Sequence, residues 1–394
     1  MVGSHRMRRR LLAWGTAALL AATLFSSPIG QAASSKDDGV HIGTPSTEVW
    51  QAPEAAHGKN PTNPLAGRVW GVYQGLQDQV WAPYRAAKGA EKTAIGRIAL
   101  RPRTKWYGGW LAPTQIDDKV RDYIRSSQAG DDEALVQLAV FRMRPWGGEA
   151  CRRVPTTKER KGYRRWMRSL AEGIGDAHTL VVMQPDGPFL WCVPDQAMTR
   201  RLLTYGTKLL SALPNTSVYI DAGAADWCGN GSGNDPETCA RILEYTGVQF
   251  ARGFALDSTH YTGPSDNIRH GTKIVKILRR DGFGDKHFII DTAKSGTPTN
   301  WRDMIPSVPG GINDNARTCT SPTMTRCVTL GIPPTARPGV ATWQLPARDR
   351  AKARKWVDGF VWFGRPWLYN QADPFVKQRA LDMDRSTKYP APLP

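Results

Sequence analysis

The sequence predicts an α/β protein, an irregular parallel β/α barrel of about seven strands in one large domain. Three observations predict it. Four apolar runs each end in aspartate: Val181-Val182-Met183-Gln184-Pro185-Asp186, Ser217-Val218-Tyr219-Ile220-Asp221, Gly253-Phe254-Ala255-Leu256-Asp257 and His287-Phe288-Ile289-Ile290-Asp291. Helix-like stretches separate these runs, and short buried strands alternating with helices build a parallel sheet, often closed into a barrel. Consecutive crossovers of one hand then place successive strands side by side.

The elements follow in order. Arg8, Arg9 and Arg10 precede an apolar stretch from Leu11 to Phe25, and Gly30-Gln31-Ala32 offers the small residues a signal peptidase reads. Residues 1–32 read as a secretory leader, since about 15 apolar residues are short for a bilayer span. The paired arginines are compatible with twin-arginine export. Residues 33–62, rich in Ala, Ser, Gly, Pro, Thr and Asn without apolar period, read as a flexible tether. The ordered domain spans 63–394. Val69 to Tyr73 and Ile98 to Tyr107 contain strand-like pieces. Asp118 to Ser126 is a short helix with Val120, Tyr123 and Ile124 on one face, and Ala134 to Met143 is strand-like. Tyr163, Trp166, Met167, Leu170 and Ile174 fall at helical spacing before Gly175. After the strand ending at Asp186, a helix runs from Arg200 to Leu213. The Asp257 strand is followed by a helix over Ile268, Ile274, Val275, Ile277 and Leu278, stopped by Gly282. Gly359 to Phe363 is the last strand.

Composition narrows the class. The formal charge of +18 falls to about +14 without the four leader arginines. That charge is spread along the chain, and no nucleic-acid-binding motif accompanies it. A basic surface suits anionic wall polymers or uronic acids; an arginine-rich proteome gives the same charge with no such role. Six cysteines in an exported chain point to three disulfides among fifteen formal connectivities. Cys228/Cys239 and Cys319/Cys327 each close a short loop, leaving Cys151 with Cys192. There is no Cys-x-x-Cys, and the histidines do not cluster, so no metal site is expected. No segment after the leader is apolar enough to cross a bilayer.

A ring of strand-end carboxylates is what glycoside cleavage needs, because that reaction runs on carboxyl groups. Asp186 is the candidate acid. It follows Pro185 at a strand end, and Gly187 and Pro188 force an immediate turn. Met183, Phe189, Leu190 and Trp191 around it are apolar, and an apolar pocket raises a carboxyl pKa toward that of a proton donor at neutral pH. The alternative role is a strand-end turn cap.

The motifs resemble those of the family 6 glycoside hydrolases, which include cellobiohydrolases and endoglucanases. Asn63-Pro64-Leu65-Ala66-Gly67-Arg68 resembles the family's opening segment, and Lys105-Trp106-Tyr107-Gly108-Gly109-Trp110 its first sugar-contacting strand. Tyr163-Arg164-Arg165-Trp166 and Gly173-Ile174-Gly175-Asp176 precede Gln184-Pro185-Asp186, which is similar to the Glu-Pro-Asp acid motif. Tyr219-Ile220-Asp221-Ala222-Gly223 with Trp227, Gly253 to Asp257, Phe288 to Thr292, and Leu330-Gly331-Ile332-Pro333-Pro334 follow in family order. The resemblance implies inverting hydrolysis of β-1,4-glucan. Asp186 would be the acid, Trp106 and Trp227 would stack on sugar rings, and Tyr107 would help distort the sugar at the cleavage site. It implies no metal or organic cofactor, a polysaccharide partner and no nucleic acid; the chain is expected to be a monomer.

The departures are specific. Ala150 stands where the family has the aspartate that tunes the acid, and Glu149 is the candidate replacement. Gln184 replaces Glu, Ala224 replaces a sugar-binding His, and Asp257, a candidate sugar contact, replaces Asn. The family's last strand supplies a Lys, a Glu and an Asp. Here Arg365 is the candidate sugar-hydroxyl donor and Asp373 the candidate displaced base. A catalytically silent, glycan-binding relative is the rival reading.

Overall fold

Seven short apolar runs form the sheet in the computed structural model, which describes residues 62–143, 151, 153–228, 235–258, 260–389 and 393. The leader, the tether up to residue 61 and Glu149 lie outside the described residues. All described residues belong to the unit Pro45–Pro394. The strands are β1 (Lys105–Gly108), β2 (Val136–Phe141), β3 (Thr179–Met183), β4 (Thr216–Asp221), β5 (Gly253–Leu256), β6 (His287–Asp291) and β7 (Val357–Val361). They pair in sequence order, every pair parallel. The Thr104 N–H, just ahead of β1, donates to the carbonyl of Trp362, just past β7, at 2.9 Å. The two edges of the curled sheet thus meet through a backbone hydrogen bond.

Both faces of this sheet are covered, as a parallel sheet requires. Along the strands the side chains alternate. Leu135, Ala139, Leu180, Val182, Tyr219, Ala255, Ile289 and Val361 fill the inside of the curl. Leu138, Val140, Val181, Val218, Ile220, Phe254, Phe288 and Phe360 pack outward against helices. The period of two carries one residue set to each face.

The crossover helices are α3 (Ile116–Gln128), α4 (Thr157–Ile174), α5 (Gln196–Ser211), α6 (Pro236–Tyr245), α7 (Pro264–Arg280) and α8 (Ala347–Trp356); α1 (Trp81–Ala86) and α2 (Gly89–Ala99) precede β1, and α9 (Lys377–Ser386) follows β7. Their starts are written in sequence. Thr156 and Glu159 form a reciprocal capping box at α4, and Asp195 and Asp235 cap α5 and α6. Pro264 occupies the first turn of α7, where its missing N–H costs nothing.

Three expectations are corrected. Of Ile98 to Tyr107, read as containing strand-like pieces, Lys105 to Tyr107 belongs to β1, whereas Ile98-Ala99-Leu100 is the buried last turn of α2 and its cap. Val69 to Tyr73 forms none of the seven strands; Trp70 makes an isolated parallel bridge to Leu135. The last strand lies two residues earlier than read. Trp362 and Phe363 continue its apolar run past the end of the ladder.

Candidate active site

The C-terminal ends of β1, β2, β3, β5 and β7 open into a cleft of about 580 Å³. Its wall includes Trp106, Tyr107, Asp186, Arg365 and Asp373, five of the eight residues singled out as catalytic or sugar-binding. Glu149 lies outside the described residues. Trp227 and Asp257 stand behind the wall.

Asp186 gains its position from the turn after β3. Gln184 and Asp186 both take left-handed backbone, φ +54° and +67°, a conformation few non-glycine residues adopt and Asp tolerates better than most. The Gln184 N–H continues the ladder to the Val140 carbonyl at 2.8 Å, and its side-chain oxygen accepts from the Met143 N–H at 3.2 Å. The Asp186 carbonyl accepts from the Phe189 N–H at 3.0 Å, starting a 3₁₀ turn over Gly187–Cys192. Gly187 N–H donates to Asp221 Oδ1 at 3.2 Å, and a Cβ at Gly187 would collide with the Asp221 carbonyl. The end of β4 therefore holds the turn that carries Asp186. Asp186 is 7 % exposed.

The other strand-end aspartates form a buried knot. Asp221, Asp257 and Asp291 have no exposed surface. Burial pushes the Asp221 carboxyl up to about 7, against the opposing pull of the Ser258 hydroxyl, the Gly223 and Gly187 N–H groups and the Lys294 ammonium. Burial likewise raises Asp257 and Asp291, with Lys294 the largest opposing influence on each. The Lys294 ammonium, fully buried, donates to Asp291 Oδ2 at 2.8 Å and to the carbonyls of Asp257 and Ser258, both at 2.9 Å. Asp291 Oδ2 also accepts from the Gly364 N–H at 2.6 Å, which ties β6 to the segment leading to Arg365. Asp257 accepts from the Thr262 hydroxyl and N–H, so its side chain serves the following loop. The residue that reaches the cleft there is its neighbour Ser258.

The aromatic groups divide in two. Trp106 is fixed by its indole N–H to the Phe363 carbonyl at 2.7 Å, and the Arg365 guanidinium lies 4.8 Å from its ring centre. The Tyr107 ring lines the cleft, but its hydroxyl donates to the Lys119 carbonyl at 3.1 Å, toward α3. Trp227 packs edge-on to Phe189 at 5.0 Å and stacks on His260 at 5.0 Å and 4°. His260 Nδ1 lies 2.6 Å from Asp226 Oδ1, and Asp226 Oδ2 accepts from the Trp301 N–H at 2.7 Å. The Trp301 indole donates to Asp314, which lines the cleft, at 2.6 Å.

Sequence reasoning passed over Trp110, Ser258, Asp314, Lys105 and Lys119, all on the wall. Trp110 stood in the same motif as Trp106, and its 61 % exposure makes it the most open aromatic of the cleft. Asp314 sits in the irregular segment between β6 and α8, where no periodicity marks it. The three disulfides are those expected: Cys151–Cys192, Cys228–Cys239 and Cys319–Cys327, with Cα separations of 5.3, 5.4 and 5.0 Å. His270 Nε2 lies 3.3 and 3.4 Å from the sulfurs of Cys228 and Cys239. Burial pulls this imidazole down to about 4, and with both sulfurs in a disulfide the trio offers no thiolate to a metal. No helix among the described residues is long and apolar enough to cross a membrane.

Comparison with known proteins places these features among relatives. The family described as Glycosyl hydrolases family 6 matches residues 71–324. Endoglucanase A of Cellulomonas fimi is 31 % identical over 232 residues, 58 % of this chain and 48 % of that protein. Endoglucanase 1 of Streptomyces halstedii is 26 % identical over 233 residues, 58 % of this chain and 69 % of that one. The chain thus spans about half the length of the first relative. Among solved structures, the endoglucanase Cel6 from Mycobacterium tuberculosis, in complex with a thio-linked cello-oligosaccharide, has a TM-score of 0.60 at 24 % identity. That match covers 82 % of this chain and 98 % of that one. The catalytic domain of Cellulomonas fimi Cel6B has a TM-score of 0.57 at 16 % identity, over 83 % of this chain and 95 % of that one. The sheet and its helices are therefore the fold of these enzymes.

Proposed function

The chain belongs to glycosyl hydrolases family 6, and on that premise we propose that it is a secreted, inverting glycosidase of β-1,4-glucan with Asp186 as general acid. The observation that carries the reading is a carboxylate 7 % exposed, fixed on a left-handed turn at a strand end, on the wall of a cleft that also bears Trp106 and Trp110. The endoglucanase names of its relatives support the substrate class.

In the proposed reaction Asp186 protonates the leaving glycosidic oxygen while a water attacks the opposite face of the sugar. Acid and base then stand roughly 6.5–9.5 Å apart, leaving room for that water. Asp373, exposed on the cleft wall, is the base candidate among the described residues, and Glu149 the candidate beyond them. Trp106 and Tyr107 contact sugar, since pyranose faces suit aromatic planes, and Arg365 donates to hydroxyls. Trp227 acts from behind the wall through His260 and Trp301, and Asp257 by fixing the loop after β5 through Thr262. Export is supported by three disulfides, which persist in oxidising compartments. It fits a leader over 1–32, a tether over 33–62 and a monomeric barrel over 63–394.

The rival reading, a glycan-binding relative without turnover, is favoured by one observation. No hydrogen bond orients the Asp373 carboxylate among the described residues, whereas a general base is held toward its water. Proton NMR of the first product decides the mechanism: the α-anomer is expected, and the β-anomer rejects inversion. Binding to a glycan panel with no release of reducing ends would establish the rival.

A further inference from the structure

We propose that the wall between β1 and β7 is a subsite for an acidic sugar, with Lys105 and Arg365 holding a carboxylate carried by the glycan. Both side chains line the cleft. They are neighbours in space, because Arg365 stacks over Trp106, the residue after Lys105, and its charge acts on the Lys105 ammonium. Among the described residues, Asp78 is the carboxylate whose charge acts on both Lys105 and Arg365, and it is already bound to the Arg103 guanidinium. Lys119, exposed at the cleft wall, adds a further cation.

The two cations also have unused donors. The Lys105 ammonium donates to the Gln77 carbonyl, and its other N–H groups meet no acceptor among the described residues. The buried Arg365 Nε–H has no partner there either. An unpaired buried donor costs free energy that a ligand acceptor removes. Electrostatics agree. Burial is the main cause that pulls Lys105 down to about 8 and Arg365 to about 10. Asp78 opposes that pull on both, while the charges of Arg365, Lys119 and Arg103 add to it on Lys105. A neutral glucan offers only hydroxyls to this corner. A carboxylate at C6 of a glucose unit offers two acceptors and the missing negative charge, and charge-assisted bonds are the stronger kind. Of the other cleft acids, Asp186 and Asp314 come from the segments after β3 and β6, and Asp373 from the segment after β7 that also carries Arg365.

The inference rests on the proposed function only in taking the cleft as the seat of a glycan chain. Calorimetry of the intact protein with a neutral cello-oligosaccharide, and with the same oligosaccharide bearing one glucuronate, tests it. About a tenfold preference for the acidic ligand is expected. Arg365→Met and Lys105→Met should each bring that ratio close to one. Lys119→Met, at an exposed site that tolerates exchange, should reduce it about threefold. An oligosaccharide carrying a sulfate ester serves as a second arm, and a preference for it over the glucuronate would overturn the carboxylate assignment. Equal affinity for neutral and acidic ligands in the wild type, with the neutral ligand bound, overturns the subsite and leaves the hydrolase reading intact. A preference that survives all three variants overturns it as well, since it would belong to the basic surface at large. Binding of neither ligand overturns the cleft reading and the subsite together.

Discussion

At the scale of single residues, four strand-end aspartates look alike in sequence and differ in surroundings. Asp186 reaches the cleft, while Asp221, Asp257 and Asp291 are sealed beneath it. The turn around Asp186 was legible because Pro185, Gly187 and Pro188 punctuate the chain on both sides. The withdrawal of Asp257 was not, because one residue type serves as sugar contact or loop anchor depending on which neighbour accepts its bonds. Asp221 allows a test of the buried set. Its folded pKa, raised to about 7 by burial, exceeds the unfolded value of about 3.9. The folded state therefore binds the proton more tightly. This contribution to stability is fully present below pH about 4 and is lost as pH rises to about 7. It is on the order of 4 kcal/mol. Asp221→Asn should flatten the dependence of Tm on pH across that window and match or exceed the wild type at pH 8, with thermal unfolding followed at several pH values. A variant less stable than wild type at pH 8 would contradict the assignment of burial as the dominant cause.

At the scale of elements, Lys294 is the tie between strands. One ammonium serves the ends of β5 and β6, and through Asp291 the segment after β7. Removing one partner of a buried pair leaves an uncompensated charge, so Lys294→Met should destabilise by about 3–5 kcal/mol in denaturant unfolding. Adding Asp291→Asn should recover part of that loss, and a full additive loss would show that the two groups are not coupled. The strands β2 to β6 were legible because parallel strands buried on both faces are continuous apolar runs of fixed length. Helices α1, α8 and α9 were not. The sequence of α8, Ala347–Trp356, holds five basic residues and buries only Asp349, Ala353 and Trp356, so no apolar stripe marks it. At α2 the apolar triplet at its end imitated a strand, and only its packing beside α1 and α9 decides.

At the scale of the whole molecule, disulfides fasten loops that the sheet alone does not order. Cys151 and Cys192 are 41 residues apart and join the approach to α4 with the turn that follows Asp186. Closing a loop of that length lowers the entropy of the unfolded chain by an amount worth about 4 kcal/mol. The pair Cys151→Ala/Cys192→Ala should lose up to that much in equilibrium unfolding; unchanged stability would mean the loops are held by packing alone. The family's order of motifs was legible along the chain because five of them lie at the ends of β1, β3, β4, β5 and β6, where topology brings residues together. Asp314 and the pairing of Arg365 with Lys105 escaped because these residues meet only through the curl of the sheet and its long loops. The central claim is that Asp186 delivers a proton to the leaving group. Hydrolysis by Asp186→Asn, measured on an unactivated cello-oligosaccharide and on an aryl cellobioside whose leaving group needs no proton, tests it most directly. A loss of about 10²–10⁴ is expected on the first and a much smaller loss on the second. Equal losses on both would contradict it.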